Sequence, residues 1–134
     1  VRYGEEPPVQ LYFLDHNASL PEAPGIWIHG RQRADIILRS QNEFETITVT
    51  ARSPIATEVS VDVGRGQGVM VLEPGVQGTV TVEAAGVYSR KSWAYLMQIR
   101  TSDGFVPRLV EPGSGDGRFL GAAISLRATP AAIQ

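Results

Sequence analysis

Glycine and proline break this chain into short runs, and within the runs apolar side chains recur at every second residue rather than every third or fourth. A period of two is the pleat of a β-strand, which sends alternate side chains to opposite faces of a sheet. From Phe44 to Arg52, Ile47, Val49 and Ala51 point one way while Thr46, Thr48 and Thr50 point the other. The same alternation sets Val59, Val61 and Val63 against Ser60 and Asp62, and Val80 and Val82 against Thr79, Thr81 and Glu83. It recurs over Trp93–Thr101, with Trp93, Tyr95, Met97 and Ile99 on one side, and over Leu120, Ala122, Ile124 and Leu126. Leu11–Leu14, Ile26–Ile28, Ile36–Leu38 and Val69–Leu72 are less regular and read as strands buried on both sides or at sheet junctions.

The pattern predicts an all-β domain, a β-sandwich of jelly-roll or immunoglobulin-like type with about eight or nine mostly antiparallel strands. The turns have their own chemistry. Glu73-Pro74-Gly75 suits a proline-led reversal, and Ser102-Asp103-Gly104 reads as a tight turn that needs positive φ at its glycine. The expected sandwich covers residues 10–128, after a linker-like segment at 1–9 that holds Pro7 and Pro8 and before a tail at 129–134. The chain opens on Val1, which reads as a piece of a longer protein.

A single domain of 134 residues hides roughly two-thirds of the surface its unfolded chain exposes, so it needs no covalent staple. It has no cysteine, which excludes disulfides, thiolate metal sites and cysteine nucleophiles. Twelve Lys and Arg stand against 14 Asp and Glu without a basic block, so nucleic acid is not an expected partner. No run approaches the ~20 apolar residues of a membrane span, and direct membrane insertion is not expected.

Catalytic candidates are few. His16 and His29 fall in no metal-ligand spacing, and Gly64-Arg65-Gly66-Gln67-Gly68 lies between two strands and opens no helix, unlike a phosphate loop. Asp15-His16-Asn17 fits a polar turn, or a grip on a metal or sugar hydroxyl. Asp103, Glu111 and Asp116, with the carbonyls around Gly113–Gly117, supply the oxygen ligands a structural calcium ion would take; an ordinary solvated loop is the alternative. No other cofactor is expected. Sugar-binding sandwiches lay an apolar sugar face on an exposed aromatic ring, which makes Trp27 and Tyr88 the ligand-binding candidates, with Arg90 beside Tyr88. Trp93, Tyr95 and Met97 share one strand face and read as core.

Three local patterns, Gly25-Ile26-Trp27-Ile28-His29-Gly30, Gly104-Phe105-Val106-Pro107 and Glu111-Pro112-Gly113-Ser114 with Asp116 and Arg118–Gly121, resemble a β-sandwich module. That module closes some bacterial multi-spanning membrane proteins of the membrane glycosyltransferase type, and the resemblance spans about Tyr12 to Leu126. It implies an extracytoplasmic, non-catalytic accessory domain tethered through a parent membrane protein, whose partners are a glycan or the rest of that parent. Gly115-Asp116-Gly117 is richer in glycine than the resemblance leads one to expect. Two other functions compete. In a docking module, Ile55, Val87, Phe105, Val106 and Leu109 would form an apolar patch. A hydrolase would need a facing carboxylate pair that the sequence does not identify.

Overall fold

The computed structural model describes residues 1–4, 9–23 and 25–131. Eleven strands and one short helix follow one another there. They are β1 (Arg2–Tyr3), β2 (Val9–Phe13), β3 (Ile26–His29), β4 (Arg33–Ser40), β5 (Phe44–Arg52) and β6 (Thr57–Val63). After them come β7 (Gly66–Leu72), β8 (Gly78–Glu83), β9 (Val87–Ser89), β10 (Ser92–Thr101), α1 (Pro107–Val110) and β11 (Leu120–Pro130). A seven-stranded sheet in the order β1-β2-β4-β10-β6-β7, with β9 also on β10, faces a four-stranded sheet in the order β3-β11-β5-β8. Every strand pair is antiparallel, which makes the fold the expected all-β sandwich.

Alternation builds the core. On β4 and β10, Ala34, Ile36, Leu38, Tyr95, Met97 and Ile99 point inward and are almost fully buried. They meet Ile26 and Ile28 of β3, Ile47, Val49 and Ala51 of β5, and Ala122 and Ile124 of β11 in one hydrophobic cluster. The opposite faces of the same strands are wetter, and on β5 and β8 they carry a ladder of threonines, Thr48 with Thr81 at 2.9 Å and Thr50 with Thr79 at 3.4 Å.

Eleven strands stand among the described residues where eight or nine were expected, Tyr12 and Leu14 of the Leu11–Leu14 run are exposed, and further details differ from the sequence expectation. The segment read as a linker begins with a strand, because Arg2 and Tyr3 pair with Gln10 and Val9 and the Tyr3 hydroxyl accepts the Leu126 N–H at 3.0 Å; the linker's residues 5–8 lie outside the described residues. The segment read as a tail continues β11 to Pro130, and its residues 132–134 lie outside the description. Val69 and Val71, read as buried, point outward from the edge strand β7 and are 58% and 76% exposed. Gly104 is not a positive-φ glycine; a side chain there would stand 2.8 Å from the Gly30 Cα. The Glu73 turn forms as expected, with Gly75 at φ +74° and the Val76 N–H donating to the Glu73 carbonyl at 3.0 Å.

Candidate functional site

The outer face of the four-stranded sheet holds the candidate site. Ile26 and Ile28 turn into the core, so Trp27 between them must face outward. Its backbone is held from the outside: its N–H donates to Ser19 Oγ at 2.9 Å, and its carbonyl accepts the Ser19 N–H at 2.8 Å. Across the sheet the register sets Trp27 opposite Ala123 of β11, and Ala123 opposite Arg52 of β5. Alanine between a large ring and a guanidinium leaves a hollow.

That hollow is an open trough of about 300 Å³ lined by Trp27, Thr50, Arg52, Ser53, Gln77, Glu111 and Ser125, among others. Thr50 and Ser125 are the next outward pair along the sheet. Gln77 arrives from the turn before β8, and Glu111 from the end of α1, where its N–H donates to the Pro107 carbonyl at 2.8 Å. Ser53 is fully buried and closes the floor by donating its hydroxyl to the Gly121 carbonyl at 2.6 Å.

The Trp27 ring packs edge to face on Phe105, centroids 5.8 Å apart, and Phe105 is buried and paired with Leu120. The indole is therefore fixed in direction while part of it stays in the trough. Its Nε1–H donates to no described residue, and Arg52 makes no ion pair or hydrogen bond with one. An apolar plate ringed by spare donors and acceptors suits a ligand with one apolar face and a rim of hydroxyls.

Of the candidates from sequence, Trp27 and Glu111 meet in this trough and the others lie elsewhere. Tyr88 and Arg90 belong to the β9–β10 hairpin of the other sheet, far from the Trp27 face. Tyr88 is 58% exposed and meets Trp93 edge to face at 5.3 Å. The three carboxylates proposed for calcium are likewise separate. Asp103 pairs with Arg31 at 3.1 Å, Asp116 chelates Arg118, which also reaches Glu22 at 3.1 Å, and Glu111 lines the trough. Among the described residues no group of three His, Asp or Glu side chains is placed to hold a metal ion. Arginine, a fixed cation, already occupies Asp103 and Asp116, two of the three carboxylates that calcium would need. The Asp15 turn forms as such: its carboxylate accepts the Asn17 N–H at 2.8 Å and the Asp35 N–H at 2.9 Å, spent on its own backbone surroundings.

The electrostatics follow these contacts. Hydrogen bonds from the Arg118 guanidinium, then from its backbone N–H, hold the Asp116 carboxyl down to about 2. The Gly104 N–H, followed by Arg31, lowers that of Asp103. Burial, and then the charge of Arg118, pushes the His29 imidazole below its ordinary value.

No family model and no curated protein matches the chain. Among solved structures it is similar to TmCBM61 in complex with β-1,4-galactotriose, at a TM-score of 0.38 and 8% identity over 93% of this chain and 91% of that one. At that level the likeness carries no weight for the site, whose description rests on its own residues.

Arg52, Gln77 and Ser125 were not singled out in the sequence. Their only signal is that each is polar at an outward or turn position. Strand register brings Arg52 and Ser125 together across more than seventy residues of chain, and one sequence does not state a register.

Proposed function

We propose that this chain is a non-catalytic carbohydrate-recognition domain that stacks a sugar on Trp27 and hydrogen-bonds its hydroxyls with Arg52, Gln77, Glu111 and Ser125. The observation that carries the reading is the trough itself, a fixed, half-buried indole whose N–H has no partner among the described residues, at the edge of a threonine-rich sheet. Cutting a glycosidic bond takes two carboxyl groups about 5 to 9.5 Å apart. Among the described residues lining the trough Glu111 is the one carboxylate, which favours holding a sugar over hydrolysing it. The resemblance of the Gly25–Gly30 and Glu111–Gly121 motifs supports a place outside the cytoplasm, as an accessory module of a larger bacterial membrane protein.

The docking alternative is weaker on the geometry. Phe105 is buried, and the exposed Val87 and Leu109 flank opposite ends of β10, so the proposed apolar residues form no single patch.

The test is thermal unfolding with neutral oligosaccharides. A ligand at ten times its Kd adds about 1.4 kcal/mol, or roughly 3 to 6 °C. The expected result is a saturable rise with one sugar class that Trp27→Ala abolishes while the variant still unfolds cooperatively. No shift with any sugar, or a shift that survives Trp27→Ala, overturns the proposal.

A further inference from the structure

The opposite face of the sandwich carries a second, differently charged hollow. The register aligns Arg2 of β1 with Gln10 of β2, Gln10 with Arg39 of β4, and Arg39 with Ala94 of β10, all outward from the seven-stranded sheet. Two strand spacings of ~4.8 Å set the two arginine backbones about 9.6 Å apart with an amide between them. Around this row lies an open trough of about 430 Å³ lined by Arg2, Val9, Gln10, Arg39, Gln41 and Ser92, together with Ser40. Its lining among the described residues offers two guanidiniums, two amides and hydroxyls, and no carboxylate.

Arg39 is held in place on one side only. Its Nε donates to Ser92 Oγ at 2.9 Å and its Nη2 to the Ser89 carbonyl at 3.0 Å, two of the five N–H donors of a guanidinium. Neither Arg39 nor Arg2 forms an ion pair with a described carboxylate. The hairpin that Arg39 grips adds two more cations at its tip. Arg90 at φ 53° and Lys91 at φ 63° both sit in the left-handed region where a hairpin ordinarily places Asn-Gly. The tip therefore keeps cationic side chains at positions that disfavour them.

We infer that this trough binds an acidic sugar unit, its carboxylate or sulfate gripped over Gln10 between Arg2 and Arg39 and its hydroxyls facing Gln41 and Ser92. The volume is that of a small-ligand site rather than of a bare anion, and guanidinium forks match planar carboxylates and sulfates. The Trp27 trough lies on the other sheet and takes no part.

The experiment is two-dimensional NMR of the 15N-labelled domain at low salt, titrated with a uronic-acid disaccharide, its neutral counterpart of the same linkage, and sodium sulfate. Saturable shifts at the Gln10 and Gln41 side-chain amides are expected with the acidic disaccharide. Arg2→Gln and Arg39→Gln should each weaken it tenfold or more, the worth of a charged hydrogen bond. Arg39→Gln also loosens the β9 hairpin, whereas Arg2→Gln tests the site without that contact. Arg100→Gln makes the same change in net charge elsewhere on the sheet and should keep the affinity. Equal affinity for the neutral disaccharide, sulfate binding as tightly as the sugar, undiminished binding in Arg2→Gln, or an equal loss in Arg100→Gln each overturns the inference.

Discussion

Tyr95 shows how much one atom can matter in this core. Its ring stacks on Phe44 at 5.1 Å, and its buried hydroxyl accepts the Phe44 N–H at 2.6 Å. Removing a partner from a buried donor costs about 1–3 kcal/mol, more than the mean worth of a hydrogen bond. Tyr95→Phe is therefore expected to lower unfolding free energy by that amount, seen as a lower urea midpoint at an unchanged slope. The reverse applies at Arg90 and Lys91. Left-handed backbone costs an L-residue roughly 1–2 kcal/mol, and Asn and Gly bear it best. Replacing the pair by Asn-Gly should raise stability by about 1 kcal/mol or more in the same assay.

At the scale of elements, a few ion pairs tie the loops to the sheets. Arg118 joins Asp116 to Glu22, fastening the connection before β11 to the one before β3. Because Asp116 is held near 2 in the fold against an ordinary 3.8, its contribution is complete above the unfolded value and disappears as pH falls through about 2. His29 acts in the same direction at higher pH. Its lowered affinity for a proton means that the unfolded chain takes one up first, and stability begins to fall as pH drops below about 6.5. Asp116→Asn should flatten the acid limb of the stability profile and, by removing a carboxylate that favours the His29 imidazolium, deepen the His29 limb, as followed by thermal melts from pH 7 to pH 2. The elements themselves were legible where one face of a strand is dry. On β5 and β10 the alternation of the sequence is the alternation of burial. It failed on β7, where Val69 and Val71 are apolar but sit on the outer face of an edge strand, so composition pointed inward and geometry did not. In the candidate site Trp27 was legible as an aromatic on a strand, and Glu111 as an oxygen donor. Their meeting was not, because it depends on how a helix end folds back over a sheet.

For the whole molecule, the order of strands sets the behaviour. β10 lies between β4 and β6 and pairs residue for residue with a strand more than fifty positions earlier, so few of the sheet contacts are local. Folding of such a topology falls in the millisecond to second range. Both sheets share one core cluster, which leaves neither able to unfold alone. Each sheet also carries one of the two tryptophans, Trp27 on β3 and Trp93 on β10. In each single-tryptophan variant, Trp27→Phe and Trp93→Phe, the fluorescence transition in denaturant should therefore coincide with that variant's own far-UV circular-dichroism transition; a fluorescence transition separate from it would mean that the sheets unfold independently.

Gly30 and Gly104 approach backbone to backbone, with the Phe119 ring laid against both. The β3–β4 turn and the chain after β10 thus share a wall with no spare thickness, and a residue added to either must displace the other. A Cβ added at Gly113 or Gly115 would meet nothing within 4 Å, and both glycines are exposed. A peptide tag or a fused domain grafted into the Gly113–Gly115 loop would hang free of the sandwich, while the same graft at Gly30 would pry it open.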